Sequence, residues 1–141
     1  MRTAAILPGS ATLNPRLGTI FKRRWGVELL GVELASAGYM LEFRYRVLDA
    51  NKAKPLFDRR TKPRLIHEAT GAQLMVPAPA KVGPLRNSNP PHAGRIYWIF
   101  FGNPGKLVQP GDRVDIVIGE FRADGLVVNQ RLTSVAPKSQ E

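Results

Sequence analysis

The chain has 141 residues, 43% of them hydrophobic, and no cysteine, while 21 lysines and arginines against 11 acidic residues give a net charge of +10. This length suits one domain that buries about two thirds of its unfolded surface, so we expect a stable core without a metal or disulfide. The absence of cysteine excludes disulfide frameworks, thiolate metal sites and thiol nucleophiles. The positive charge favours acidic partners of any class.

Residues 1–24 form a basic arm without a single acidic residue. Its apolar patch at residues 4–7 is cut by Pro8, which leaves it too short for a signal peptide. No apolar run is long enough to span a membrane, so the default expectation is a cytoplasmic protein. Apolar residues such as Ile20 and Phe21 lie among the cations, and they predict an arm that docks on a partner or packs on its own domain.

A strand pattern covers residues 25–34, with a shift of phase at Gly31 that predicts a β-bulge. The next stretch, residues 39–47, alternates between aromatic or aliphatic side chains and a second set that includes one glutamate and two arginines. This period of two is typical of a half-buried strand. The rings and the cations Arg44 and Arg46 therefore face opposite sides, which indicates a core strand rather than a surface for stacking bases.

Three segments follow in the middle of the chain. Residues 48–57 contain enough alanine and lysine for one helical turn, which Pro55 is expected to end. Residues 65–68 and 73–76 predict a hairpin. Residues 77–94 contain five prolines, and a loop of this length inside a domain usually serves function or mobility, so we predict a partner contact there.

The last third of the chain is rich in strand and turn signals. The apolar run at residues 95–102, which includes Trp98 and Phe100, predicts a strand buried on both faces. Two further strands follow turns at residues 110–112 and at Asp124-Gly125.

About seven short strands with little helix predict an all-β protein. We expect an immunoglobulin-like sandwich of two antiparallel sheets with a short helical turn and an extended N-terminal arm. A small closed barrel is the alternative architecture. The predicted organisation is the arm at residues 1–24, the sandwich at residues 25–136 and a frayed tail at residues 137–141.

The chain is poor in groups that support catalysis. His67 and His92 with Met40 and Met75 could in principle bind copper, but their spacing gives no signature of a metal site. The carboxylates of residues 112–124 are explained by turns and by the outward side of a strand, and no phosphate-binding loop or nucleophile motif is present. We predict no enzyme, no metal and no cofactor. An enzyme would need a site in which His67 or His92 meets a carboxylate.

The distribution of charge points to a partner rather than a small-molecule substrate. Residues 44–64 carry eight basic and two acidic residues, a local charge of +6. Because the neighbouring rings are assigned to the core, this charge predicts attraction to phosphates or carboxylates without base stacking. We predict a binding or accessory module that docks on a larger protein assembly or an anionic membrane surface, with sequence-nonspecific nucleic-acid binding as the alternative. The residues predicted to contact the partner are Arg16, Lys22, Arg23, Arg24, Arg59, Arg60, Lys62 and Arg64.

Three stretches carry a resemblance to a known group of proteins: "AGYMLEFRYRVLDANKAKPLFDRRTKPRLIHEATGAQLMVP", "GRIYWIFFGNPG" and "VQPGDRVDIVIGEFRADGLVV". They resemble a family of small bacterial single-domain β-sandwich proteins without an assigned function, over residues 25–129. The resemblance implies the fold and no activity, and it transfers no site residue. Members of such families often lie outside the cytoplasm behind a signal or anchor, which leaves the compartment open.

Overall fold

Short β-strands joined by turns and small helices make up the fold. The computed structural model describes residues 10–12, 15–77, 90–129 and 131–133. Within these residues α1 (Pro15–Ile20) continues as a π-helical turn (Phe21–Trp25), and α2 (Ala50–Ala53) continues as a 3-10 turn (Lys54–Phe57), with further 3-10 turns at Ser36–Gly38 and Pro104–Lys106. The strands are β1 (Ser10–Thr12), β2 (Val27–Ala35), β3 (Met40–Val47), β4 (Arg64–His67), β5 (Gln73–Met75), β6 (Ile96–Gly102), β7 (Arg113–Ile118), β8 (Phe121–Val127) and β9 (Arg131–Thr133).

Two antiparallel sheets enclose one hydrophobic core. The first sheet has the order β2-β3-β6 and the second the order β5-β4-β7-β8, while β1 and β9 form a separate parallel pair. The predicted mostly-β, two-sheet architecture is confirmed at this level. No helix within the described part of the chain is long and apolar enough to cross a membrane.

The pairing of β2 with β3 contains the predicted bulge. Leu29 lies opposite Tyr45 and Gly31 lies opposite Arg44, so Leu30 has no partner in the ladder. The extra residue shifts the phase of β2, and this allows Leu29 and Val32 to be buried on the same side of the strand.

Strand β6 departs from the prediction of burial on both faces. Tyr97, Ile99 and Phe101 are buried, but Trp98 and Phe100 are only half-buried on the outer side. The prediction is wrong because β6 is the edge strand of an antiparallel sheet that has the core on one face only. The alternation of buried and half-buried side chains along β6 could not be recognised in the sequence, because the outward positions are apolar as well.

One turn prediction also requires correction, whereas the helical turn before Pro55 is present. The segment Asp124-Gly125 lies inside β8, where these two residues face the single residue Asp115 of β7, so they form a bulge rather than a turn. The hairpin between β7 and β8 instead turns at Gly119-Glu120. The single helical turn predicted before Pro55 is present as α2, and Pro55 itself lies in the first turn of the following 3-10 segment, where its missing N–H is not needed.

The end of the basic arm is anchored in the core. The ring of Phe121 packs against Phe21 and against Trp25, each with 5.5 Å between ring centroids. Gly26 then closes the π-helical turn in a left-handed conformation (φ 63°), and its N–H donates to the carbonyl of Lys22. A Cβ atom at Gly26 would lie 2.7 Å from the carbonyl oxygen of Asp49, so this turn requires glycine.

Two asparagines connect segments that the strands leave apart. The buried amide of Asn103 donates to the carbonyls of Gly38 (2.9 Å) and Val108 (3.0 Å), and its Oδ1 accepts the N–H of Val108 (2.9 Å). The Oδ1 of Asn129 accepts the N–H of Leu34 at 2.8 Å. Asn129 thereby joins the edge of β2 in the first sheet to the segment that follows β8 in the second.

Candidate partner-binding site

The turn Gly119-Glu120 brings together two basic segments that are distant in the sequence. On one side, Arg24 Nη2 lies 3.1 Å from Glu120 Oε1. On the other side, the methyl carbon of Thr61 lies 3.3 Å from the position that a Cβ atom on Gly119 would occupy. The π-helical turn at residues 21–25 and the loop at residues 58–62 therefore flank the same hairpin.

A third basic segment, α2, adjoins the first. The Cβ atom of Lys52 lies 3.0 Å from the position of a Cβ atom on Gly26, directly after the π-helical turn. Asp49 fixes the start of α2, because its Oδ1 accepts the N–H groups of Asn51 (3.0 Å) and Lys52 (3.2 Å). Lys54 follows in the 3-10 turn.

These three segments form a surface that we call the basic end. It contains eight cations and three carboxylates and so carries a net charge of +5. Its members are Lys22, Arg23, Arg24, Lys52, Lys54, Arg59, Arg60 and Lys62, with Asp49, Asp58 and Glu120.

The carboxylates of the basic end are engaged within the protein. Asp58 accepts hydrogen bonds from the backbone N–H (2.9 Å), Nε (3.2 Å) and Nη2 (3.3 Å) of Arg60. The side-chain hydrogen bonding and then the negative charge of Asp58 raise the pKa of Arg60 above its ordinary value. Glu120 pairs with Arg24, and Asp49 caps α2. By contrast, Arg23, Arg59 and Lys62 are exposed and form no ion pair with any described residue.

Six of the eight residues predicted to contact a partner thus lie at the basic end. Arg64 lies on β4 instead, half-buried, and donates to Gln73 Oε1 at 3.1 Å. Arg16 belongs to α1, and its side chain lies outside the described part of the structure, as do residues 78–89 of the loop predicted to contact a partner.

A second surface was missed by the sequence analysis and lies on the outer side of the first sheet. Ile96, Trp98 and Phe100 project there from β6, and the rings of Trp98 and Phe100 have centroids 5.1 Å apart. Arg44 of β3 is exposed and lies directly opposite Trp98 in the ladder. We call these four residues the aromatic face. The sequence signal was present, because Arg44 and Trp98 each occupy the outward phase of their strands.

The aromatic face also has acidic neighbours. Glu42 lies opposite Phe100, and Glu33 lies opposite Glu42 on β2. Glu28 is neutralised by Arg46, whose Nη1 lies 3.2 Å from Glu28 Oε1. Negative charge is therefore concentrated at one end of the face, around Glu42 and Glu33.

His67 meets a carboxylate, which is the condition that the sequence analysis set for an enzyme. Its Nε2 lies 2.9 Å from Asp112 Oδ2, and its Nδ1 lies 2.8 Å from the hydroxyl of Thr70. The same oxygen of Asp112 accepts a hydrogen bond from the backbone N–H of Gln109. The pKa of Asp112 is lowered mainly by this bond from Gln109 and next by the bond with His67. Because the ring is 4% exposed and both nitrogens are engaged, the arrangement can hold the β4–β5 turn against residues 109–112.

The other polar side chains of the described residues are not grouped as metal ligands. Among the residues that the structure describes, no group of three or more histidine or acidic side chains is arranged to hold a metal ion. His92 is exposed in the segment before β6, where its backbone N–H donates to the hydroxyl of Tyr97 at 2.8 Å.

Comparison with known proteins gives no relative for this chain. No family model matches it, and neither the curated proteins nor the solved structures contain a significant match. The resemblance to the small bacterial β-sandwich family stays a hypothesis.

Proposed function

We propose that the protein is a non-enzymatic binding module that docks on a larger protein assembly or another anionic surface through the basic end. The observation that supports this proposal is the proximity of three cationic segments: two of them flank the turn Gly119-Glu120, and α2 adjoins the first of these two. Arg23, Arg59 and Lys62 on these segments are exposed and without ion pairs in the described structure.

Electrostatic repulsion is the physical reason to expect a partner. Cations that are gathered on adjoining turns repel one another, and this repulsion opposes the compact state unless counter-charges relieve it. The three local carboxylates are already occupied by a cap and two ion pairs. An anionic partner would supply the missing counter-charge, and the arginines offer it forked hydrogen bonds.

The proposal includes an immunoglobulin-like sandwich as the scaffold. Two antiparallel sheets around one core support this assignment. In such a scaffold the loops at one end vary without changing the core, so binding residues can accumulate there. The cations of the basic end all lie in such turns and loops or in the short helical segments.

Matched charge reversals test this proposal. Lys62→Glu and Lys106→Glu change the net charge equally, but Lys106 lies in the turn Pro104–Lys106 beside Tyr39 and outside the basic end. Binding would be measured to poly-L-glutamate, to vesicles that contain phosphatidylserine, and to single-stranded and duplex DNA, at about 50 mM and about 200 mM salt.

We expect at least one of these anions to bind more tightly at the lower salt concentration. Lys62→Glu should weaken that binding several-fold, whereas Lys106→Glu should have a smaller effect. If no probe binds even at the lower salt concentration, or if the two variants lose affinity equally, the basic end is not a binding site.

Nucleic acid is a second candidate partner, and one observation favours it. Arg44 and the rings of Trp98 and Phe100 share one face of the first sheet, and β3 leads from that face to α2 at the basic end.

A further inference from the structure

We propose that single-stranded nucleic acid binds across the basic end and the aromatic face, with bases stacked on Trp98 and Phe100. This inference rests on the proposed function of the basic end and names the chemical class of the partner. The observation that supports it is the position of the two outward rings beside Arg44. These residues lie on the first sheet, and its central strand, β3, is followed in the chain by α2 with Lys52.

The two rings form a stacking platform of suitable size. Residues two positions apart on a strand are about 6.6 Å apart and project from the same side. The rings of Trp98 and Phe100 are half-buried, so the sheet holds them in place while part of each ring stays accessible. Unpaired bases can be splayed to stack on separate rings, which is how many single-strand-binding proteins hold their ligand. In a duplex the bases are stacked on one another and cannot reach the rings.

Arg44 provides a cation at the right place beside this platform. It is directly opposite Trp98, and side chains opposite each other in an antiparallel pair have Cβ atoms about 4.5–5.5 Å apart. Arg44 is exposed and forms no ion pair with a described residue. A nucleotide whose base stacks on Trp98 would place its phosphate within reach of this guanidinium.

The aromatic face and the basic end are close neighbours along the chain. Strand β3 carries Arg44 and ends at Val47, and α2, which carries Lys52, begins three residues later. A strand of about 4–16 nucleotides, the usual length held by one small binding domain, is long enough to contact both surfaces. A single strand of nucleic acid would thus offer phosphates to the cations and bases to the rings, whereas poly-L-glutamate would offer only carboxylates to the cations.

The carboxylates on the face predict where the strand runs. Glu42 lies opposite Phe100, next to Glu33, and this negative charge repels phosphates from the far end of the platform. The nucleic acid should therefore approach Trp98 from the basic end. Glu42→Gln removes part of the repulsion, so it should tighten binding of the single strand and leave binding of poly-L-glutamate almost unchanged.

The central test compares Trp98→Ala with Trp98→Phe in the full chain. The probes are a labelled single-stranded DNA and RNA of about 16 nucleotides, the matching duplex, and poly-L-glutamate. Loss of a stacked base should weaken binding of the single strand by about 5- to 100-fold in Trp98→Ala. Trp98→Phe keeps a ring and should retain most of the affinity, and the dependence on salt should be the same in both variants.

Substitutions at the basic end, unlike those at Trp98, should change the dependence of binding on salt. Removing two phosphate contacts with Arg59→Ala and Lys62→Ala should reduce the slope of log affinity against log salt by about 1.4, which is twice the value of about 0.7 per contact for single strands. Binding of the single strand should also quench the indole fluorescence of the protein. This quenching should be absent in Trp98→Phe, since the remaining Trp25 is buried in the core.

The outcomes separate this inference from the proposed function. If anionic probes bind but Trp98→Ala has full affinity, or if duplex or poly-L-glutamate binds as tightly as the single strand, the stacking site is refuted while the basic end stays a docking surface. If no anionic probe binds, both proposals fail. A Trp98→Ala protein that does not fold would be replaced by Phe100→Ala, for which we expect a smaller but clear loss of affinity, with Phe100→Tyr as its control.

Discussion

Two loop regions of this protein use polar side chains in opposite ways. In the connection between β6 and β7, at residues 103–112, polar groups are turned inward and bonded: Asn103 makes three hydrogen bonds and Asp112 holds both Gln109 and His67. At the basic end, Arg23, Arg59 and Lys62 project outward without ion pairs in the described structure. The first region contributes to folding, and the second keeps its charges available to a partner.

The largest effect is expected where the basic end is attached to the core. Phe21 is 5% exposed and packs on Phe121, so Phe21→Ala should lower the free energy of unfolding by about 3 kcal/mol. Urea unfolding at neutral pH measures this loss. Ile20→Ala, at a side chain that is 45% exposed, is the matched control and should cost less than about 1 kcal/mol. Equal losses would show that the arm is held in another way.

A somewhat smaller effect is expected at Asn103. Asn103→Asp keeps the shape of the side chain but replaces a donor to two carbonyls by an oxygen that repels them. We expect a loss of about 2–3 kcal/mol in urea unfolding, because two buried acceptors lose their partner. Substituting Arg59 or Lys62 by alanine should change stability by less than about 0.5 kcal/mol. If these exposed cations matter as much as Asn103, the contrast between the two regions disappears.

Much of this fold is readable from the sequence, and the reasons for the failures are physical. The alternation of residues 39–47 and the phase shift at Gly31 are local patterns, so the β2–β3 pair with its bulge could be predicted. The run of β6 could not be assigned correctly, because whether its second face is covered depends on whether another layer packs on the outer side of the sheet. The sequence shows where the cations are, but only the fold brings their segments together, two of them at the turn Gly119-Glu120 and the third beside Gly26. The aromatic face was missed because its two strands are far apart in the sequence, and only the pairing of β3 with β6 puts Arg44 opposite Trp98.

The pair of Asp112 and His67 should make the β6–β7 connection sensitive to acid. A carboxyl group with a lowered pKa stabilises the fold above its ordinary pKa of 3.8 and loses this contribution as the pH falls through its lower folded value. Asp112→Asn should therefore cost about 1–2 kcal/mol at neutral pH and reduce the loss of stability below about pH 4. Unfolding at pH 7 and at pH 3 checks this prediction. An unchanged acid sensitivity would indicate that other carboxylates dominate it.

The smallest effect should have the opposite sign, and it arises on the second sheet. The pKa of Glu68 is raised by a hydrogen bond with Asp115, then by burial and by the charge of Asp115. The stabilisation from a raised pKa is complete below the ordinary value of 4.5 and is lost as the pH rises through the folded value, so the two carboxylates oppose each other at neutral pH.

Glu68→Gln keeps a donor toward Asp115 without the charge. It should raise the free energy of unfolding at pH 7 by a few tenths of a kcal/mol, since solvent screens much of the repulsion at this exposed side chain. The gain should vanish below about pH 4.5, where wild-type Glu68 is protonated as well. A gain in the free energy of unfolding that is independent of pH would have to come from packing or from helix and strand propensity. A lower free energy of unfolding at pH 7 would mean that Glu68 pairs mainly with a cation such as Arg113. Together with Asp112→Asn, this variant would show that Asp112 and Glu68 have opposite effects on the stability of the fold at neutral pH. Substitution of the exposed cations Arg59 and Lys62, by contrast, should alter binding with little change in stability.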